Sequence, residues 1–150
     1  MENNINKMTL IISADTKNQA FARSVVAAFC TELNPTVSEL NDIKTAVSEA
    51  VTNCIVHAYE NDNSKDITIT GIIDGCELTV QIADEGKGIK DIEQAIQPFF
   101  TTKEGEERSG MGFTVMQTFM DKVEVFSALN KGTTVVMKKL ISREGEVIDA

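Results

Sequence analysis

The sequence has few cysteines, and their spacing does not suit a disulfide framework. There are three, an odd number, without close pairing or CxxC spacing, and each lies among apolar residues: Cys30, Cys54 and Cys76. Paired frameworks of small secreted proteins need an even, regularly spaced set. We therefore expect reduced and mostly buried thiols.

Positive charge is also scarce. Lysine and arginine number 14 against 23 aspartates and glutamates, which gives a net charge of −9. Such a surface would repel the phosphate backbone of a nucleic acid. We therefore expect neither a general DNA-binding role nor a direct nucleic-acid partner.

Long apolar runs are missing as well. No run approaches the roughly 18 residues needed to cross a bilayer. The polar residues 1–4 also lack the basic and then apolar pattern of a signal peptide. We therefore expect a cytoplasmic protein without a membrane partner.

The remaining composition is typical of one folded domain. The chain has 150 residues, of which 42% are hydrophobic and 25% are charged. We predict a single domain over residues 1–150, with its core over residues 9–140 and a frayed tail over residues 142–150.

The first part of the chain predicts a strand and then a helix. The strand is expected over residues 9–13, and Asp15 or Thr16 can cap the helix, which Pro35 ends. The apolar positions of this helix include Phe21, Val25, Ala28, Phe29 and Leu33.

A second helix has a clearer signature. Thr36 and Glu39 stand at capping-box spacing at its start. One apolar stripe follows at helical spacing and is formed by Ile43, Val47, Ala50, Val51, Cys54, Ile55 and Ala58.

The second half alternates between strands and short helices. Two alternating apolar segments flank Asp74-Gly75 and predict a β-hairpin. We expect a short helix over residues 91–96, a mobile loop from Pro98 to Gly105, a helix after Gly110-Met111-Gly112, and a last hairpin joining residues 123–127 to 133–140. Helices and mainly antiparallel strands together predict an α+β fold, a two-layer sandwich with a mixed sheet.

Glu49 and Asn53 form a candidate catalytic pair on the second helix. They are four residues apart, so they project from one face and can converge on one ligand. Both lie on the side opposite to the apolar stripe. A carboxylate can take a proton from an attacking hydroxyl, and an amide oxygen is a hard ligand suited to Mg²⁺. With only these two residues, a solvated helix face is the favoured interpretation.

A second candidate is Asp84 with Gly86 and Gly88, placed where a strand ends. Glycine permits close approach of the backbone to a ligand, and a carboxylate can accept a hydrogen bond from an exocyclic amine such as that of adenine. This DxGxG spacing alone fits a plain turn as well as a nucleotide site.

Two further elements could contact a nucleotide. Gly110-Met111-Gly112 precedes a helix whose free amides would suit phosphates, and Lys103 and Arg108 could offset their charge. Gly132-Thr133 begins the last strand, where a hydroxyl could reach a base. Each element alone also fits an ordinary helix or strand start.

In this order, the four elements resemble the motifs of the GHKL ATPase and kinase superfamily. Its N-box is similar to the helix segment from Glu49 to Asn53, its first glycine box to Asp84-x-Gly86-x-Gly88, and its second to Gly110-x-Gly112. The strings SEAVTNCIVHAY, DEGKGI, PFFTTKEGEERSGMGFTVM and GTTV are similar to the sporulation anti-sigma kinases of that superfamily. The resemblance covers nearly the whole chain, residues 9–140.

The resemblance implies a Bergerat ATP site with Mg²⁺. Asp84 would recognise adenine with support from Thr133, Asn53 would hold the metal, and Glu49 would be the general base. Arg108 would lie near the γ-phosphate and the partner. The glycine boxes and an ATP lid over residues 103–112 would supply the other contacts, from Gly86, Gly88, Lys103, Ser109, Gly110, Met111 and Gly112.

The resemblance also implies an activity and partners. Such a protein is a homodimer that inhibits a sporulation sigma factor of the sigma-F type and phosphorylates a serine of its anti-anti-sigma antagonist. The family docks partners through an arginine on the first helix, which matches Arg23. A pure binding module and an ATPase or sensor-kinase module remain alternatives, although Glu49 favours retained chemistry.

Two positions depart from the family pattern. His57-Ala58 stands where relatives often have His-Gly, and Phe113 replaces a common leucine. Both changes keep the local polarity, so we expect ATP binding to persist. His57 is expected to have a structural or solvent-facing role.

Overall fold

A computed structural model of the chain describes residues 5–96 and 112–141. Within these ranges there are five strands and four α-helices. The strands are β1 Ile5–Ser13, β2 Asp66–Asp74, β3 Glu77–Asp84, β4 Lys122–Ala128 and β5 Gly132–Leu140. The helices are α1 Asn18–Cys30, α2 Val37–Asn53, α3 Ile92–Ala95 and α4 Gly112–Phe119. None of the helices found in these ranges has the length and apolar character needed to cross a membrane.

The five strands form one sheet in the order β1-β2-β3-β5-β4, with every neighbouring pair antiparallel. One face of this sheet carries the core. On β2 the side chains of Ile67, Ile69 and Ile73 are fully buried, at the alternate positions that share a face. Gly71 continues that row, and the Phe29 ring of α1 occupies the space that a Cβ would need, at 2.9 Å. Helices against one face of an antiparallel sheet confirm the predicted α+β sandwich.

Helix α2 is the central helix of the core. The predicted capping box is confirmed: the Thr36 hydroxyl accepts from the Glu39 N–H at 3.0 Å, and the Glu39 carboxylate accepts from the Thr36 N–H at 2.9 Å. Its predicted stripe is buried up to Ile55. From Cys54 to Ala58 the helix widens into a π-helix. Because hydrogen bonds there span five residues, the side chain that returns to the core is Tyr59, and Ala58 stays half-buried.

The prediction for α1 was wrong in its apolar face. The buried side chains are Ala22, Val26 and Cys30, whereas Phe21 is 51% exposed. The helix carries two overlapping apolar stripes one residue apart, and the smaller residues fit the close contact with α2. Its start is also different, since Lys17 is the N-cap and has no side-chain cap.

The end of α1 and the first strand also differ from the prediction. The helix ends at Cys30, before Pro35, and continues as a 3₁₀ turn over Thr31–Leu33 that closes on a left-handed Asn34. Strand β1 begins at Ile5, four residues earlier than predicted, because its whole length pairs with β2.

Both predicted hairpins and the short helix α3 are confirmed. None of the three cysteines, all within the described ranges, forms a disulfide; Cys30 and Cys54 are buried and Cys76 is half-buried, close to the prediction. The predicted mobile loop and frayed tail lie outside the described residues.

Candidate functional site

Asp84 is the last residue of β3 and lies in a buried corner of the sheet. The residue is only 7% exposed. One carboxylate oxygen, Oδ1, accepts from the Gly86 N–H at 2.9 Å and from the Thr133 N–H at 3.2 Å. Since both backbone bonds go to the same oxygen, the other oxygen has acceptor capacity for a ligand.

Burial also shifts the pKa values of the two ionisable groups in this corner, the Asp84 carboxyl and the Cys54 thiol. Removal from water raises the pKa of the Asp84 carboxyl above its ordinary value, while hydrogen bonds from Gly86, Cys54 and Thr133 act in the opposite direction. The neighbouring Cys54 thiol has a pKa raised well above its usual range, first by burial and then by the charge of Asp84. Cys54 is therefore a protonated thiol beside a carboxylate.

The glycines after Asp84 allow the chain to pass very close to other segments. A Cβ on Gly86 would lie 2.5 Å from the carbonyl oxygen of Ala58, which accepts from the Lys87 N–H. Gly88 has a φ of 75°, and a Cβ there would overlap the carbonyl oxygen of Ala128. The DxGxG segment is thus a tightly packed turn between the end of α2 and the β4–β5 hairpin.

Tyr59 fixes the entry to this turn. Its hydroxyl donates to the Asp66 carbonyl at 2.7 Å and accepts from the Glu85 N–H at 2.6 Å. The residue is 8% exposed. The single hydroxyl therefore ties the residue after Asp84 to the start of β2.

Thr133 and Ser127 close the other side of the corner. Thr133 is paired with Asp84 across β3 and β5, and with Ser127 across β4 and β5. The two hydroxyl oxygens are 2.7 Å apart. Gly132, with a φ of 97°, lets the hairpin lie directly against the backbone of Asp84.

Asn53 and Glu49 lie outside the fully buried stripe of α2, as predicted. Both are half-buried, and Asn53 is the last α-helical residue before the π-helix. A Cβ on Gly112 would lie 2.8 Å from Asn53 Nδ2 and 3.0 Å from its Oδ1. The structure therefore brings the Asn53 amide and Gly112 together at the start of α4.

Arg23 lies apart from Asp84, on the side of α1 that faces α2. It is half-buried, and its Nη1 donates to the Ser48 hydroxyl at 3.2 Å. Phe21 is exposed but lies two residues earlier, about 200° around the helix, so it does not share the side of α1 that carries Arg23. The predicted docking arginine is therefore oriented by its hydrogen bond to α2.

Several predicted site residues cannot be placed. Lys103, Arg108, Ser109, Gly110 and Met111 lie outside the described residues. Gly112 alone of that segment is described.

Sequence reasoning missed Tyr59, Ser127 and the contact of Cys54 with Asp84. Ser127 could have been found, because counting back from the predicted Asn130-Lys131-Gly132 turn pairs it with Thr133. Tyr59 could not, because the helical period predicts Ala58 at the core.

Comparison with known proteins identifies the family. Residues 12–139 match the family of the histidine kinase-like ATPase domain. A relative named anti-sigma F factor from Thermoanaerobacter sp. (strain X514) is 58% identical over 139 residues, which are 93% of this chain and 96% of the relative. Another of that name, from Clostridium perfringens (strain SM101 / Type A), is 54% identical over 134 residues, 89% and 96% of the two chains.

Solved structures agree on the fold. The RsbU and RsbW domains of a Mycobacterium tuberculosis protein superpose with a TM-score of 0.68 at 17% identity, over 92% of this chain and 33% of that one. The catalytic domain of histidine kinase ThkA superposes with a TM-score of 0.57 at 18% identity, over 94% of this chain and 97% of that one. With the relatives above, the chain belongs to the anti-sigma F factor family, within the histidine kinase-like ATPase domain family.

Proposed function

We propose that the protein is an anti-sigma factor and an ATP-dependent protein serine kinase. The observation that carries the proposal is the buried Asp84 carboxylate at the glycine turn. A carboxylate whose Oδ1 accepts from two backbone N–H groups keeps a lone pair beyond those used by these bonds and by the Cys54 thiol, and so suits the exocyclic amine of adenine. The resemblance to the GHKL superfamily implies ATP at this corner.

The rest of the nucleotide would extend from Asp84 towards α2 and the start of α4. Asn53 fits a Mg²⁺ ligand because its amide oxygen is a hard donor on the half-buried face next to Gly112. A bound Mg²⁺ would offset phosphate charge. Lys103, Arg108, Ser109, Gly110 and Met111 are proposed to contact the phosphates, with Arg108 near the γ-phosphate.

Glu49 is proposed as the general base. The serine hydroxyl of the partner would attack the γ-phosphorus, its proton would pass to the Glu49 carboxylate, and ADP would leave. Glu49 lies one helical turn before Asn53, so both side chains can reach the same phosphate. Positioning and charge neutralisation supply most of the rate enhancement in phosphoryl transfer.

The proposed partners are a sporulation sigma factor of the sigma-F type and a phosphorylatable anti-anti-sigma factor, bound by a homodimer. Arg23, and Arg108 on the lid, are proposed to contact them. The relatives' name, anti-sigma F factor, supports the sigma partner. The hydrogen bond from Arg23 to Ser48 holds the guanidinium in place, and arginine side chains are frequent interface anchors, which supports a docking role.

Arg23→Ala is expected to weaken partner binding by about 2 kcal/mol or more, and to leave ATP affinity unchanged. Titration of sigma factor and antagonist measures this. Lys17→Ala, an 81% exposed side chain just before the same helix, is the matched control. Unchanged affinity for both partners would make Arg23 a surface residue only.

The proposed activity is tested with γ-labelled ATP, with and without the anti-anti-sigma partner. Label on a partner serine identifies the kinase, free phosphate alone an ATPase, and neither a binding module.

Glu49→Gln should lower single-turnover phosphorylation by roughly 10² to 10⁴ fold, the usual range for general-base catalysis. ATP titration should show intact binding, because the amide keeps the shape of the side chain. Glu124→Gln, on the opposite face of the sheet, is the matched control. A rate within about threefold of the unmodified protein would remove Glu49 from the mechanism.

A further inference from the structure

Ser127, Thr133 and Asp84 form one polar row across three strands. Ser127 on β4 pairs with Thr133 on β5, and Thr133 pairs with Asp84 on β3. Directly opposed residues of antiparallel strands have Cβ atoms about 4.5–5.5 Å apart on the same face. The row therefore ends at the carboxylate proposed to recognise the base.

The hydrogen bonds of Ser127 can be counted. Its oxygen accepts from the Ile89 N–H at 2.8 Å, donates to the Gly132 carbonyl at 2.9 Å, and lies 2.7 Å from Thr133 Oγ1. A serine hydroxyl has one hydrogen and two lone pairs. Because its hydrogen goes to a carbonyl, which can only accept, the bond with Thr133 requires Thr133 to donate.

This count of hydrogen bonds determines the direction in which the Thr133 hydroxyl donates. Its single hydrogen is directed to Ser127, so the oxygen has only lone pairs to offer a ligand. The ionised Asp84 carboxylate is also an acceptor. Two neighbouring acceptors favour a base edge that presents hydrogens and disfavour one that presents an oxygen.

We propose that Ser127 is a positioning residue that directs the Thr133 hydroxyl proton away from the base and thereby makes the pocket selective for 6-amino over 6-oxo purines. The inference rests on the proposed nucleotide site and concerns its specificity. Without Ser127, the Thr133 hydroxyl can rotate and donate to the oxygen of a 6-oxo base.

A purely structural role for Ser127 makes a different prediction. By binding the Ile89 N–H and the Gly132 carbonyl, Ser127 also joins the glycine turn to the β4–β5 hairpin. Loss of that connection alone would lower the affinity for all nucleotides by the same factor. The ratio of affinities for two bases therefore separates the two roles.

The test is calorimetric titration of the full chain with ATP and with inosine triphosphate, which replaces the 6-amino group by a 6-oxo group. Ser127→Ala should reduce the ATP preference by about fivefold to tenfold, the worth of one neutral hydrogen bond. Ser64→Ala, which removes a serine hydroxyl from the exposed turn before β2, should leave the preference unchanged. An equal loss of affinity for both nucleotides in Ser127→Ala would overturn the inference.

A double-mutant cycle shows whether Ser127 acts through Thr133. In a Thr133→Val background, Ser127→Ala should no longer change the ATP preference, and a further undiminished change would contradict the inference. If Ser127→Ala does not fold, Ser127→Cys takes its place, because a thiol is a weak donor and acceptor of similar size. Absence of ATP binding by the unmodified protein would overturn the proposed function and this inference together, whereas ATP binding with an unchanged ratio overturns the inference alone.

Discussion

The turns before and after strand β3 both have an aspartate and a glycine, and they are built very differently. Before β3, Asp74 at the end of β2 is exposed, and Gly75, with a φ of 63°, has nothing within 4 Å of a Cβ position. At the end, Asp84 is buried, and Gly88, with a φ of 75°, lies against the carbonyl of Ala128. The backbone conformation is similar, but the surroundings differ.

The difference shows which turn is local and which depends on the whole fold. The Gly75 turn needs only a residue that tolerates positive φ. The turn after Asp84 is held by contacts from the end of α2, the start of β2 and the β4–β5 hairpin. A tightly enclosed turn next to a buried carboxylate is what a preorganised binding site requires.

The largest expected effect separates the two glycines. Gly88→Ala combines a positive φ with overlap against backbone, so we expect a loss of about 4 kcal/mol or more in the free energy of unfolding. Gly75→Ala shares only the positive φ and should lose about 1 kcal/mol. Denaturant unfolding of both variants makes the comparison, and equal losses would show that the site turn is no more constrained than the hairpin.

Tyr59→Phe should have the next largest effect. It leaves the Glu85 N–H and the Asp66 carbonyl without their shared partner, at about 1.5 kcal/mol each, or about 3 kcal/mol in total. Part of this loss should appear as weaker ATP binding, because the Glu85 backbone positions Asp84. Phe126→Ala, an exposed aromatic on β4, is a control for loss of side-chain bulk. Unfolding and ATP titration near those of the unmodified protein would exclude this role for Tyr59.

Most of the fold was predictable because its signals are local. The capping box of Thr36, the period of α2 and the glycine of the β2–β3 hairpin each determine a short segment. The face of α1 was not predictable, because its two apolar stripes are distinguished only by how closely α2 approaches. The change to a π-helix after Asn53 likewise depends on the packing of Tyr59.

The candidate site was predictable in its residue types and less so in its connections. Asp84, Thr133, Asn53 and Gly112 were identified from motifs, and the structure brings them together in two pairs. The hydrogen bonds of Tyr59 and the role of Ser127 depend on long-range contacts that no local pattern encodes.

The central claim is that Asp84 recognises adenine. We expect the charge of the Asp84 carboxylate to be unnecessary for folding. Because burial raises the folded-state pKa of Asp84, the ionised carboxylate destabilises the fold above that pKa, and stability rises as the pH falls through it. Asp84→Asn removes this charge, and the amide oxygen can still accept from Gly86 and Thr133. The variant should therefore be at least as stable as the unmodified protein at pH 7.

The most direct test is calorimetric titration of Asp84→Asn with ATP, beside Asp74→Asn, whose exposed aspartate ends the neighbouring strand β2. We expect Asp84→Asn to bind ATP about tenfold to a hundredfold more weakly, the loss of one charge-assisted hydrogen bond of about 1.5 to 3 kcal/mol, and Asp74→Asn to bind normally. Unchanged ATP affinity in a folded Asp84→Asn protein would contradict the account.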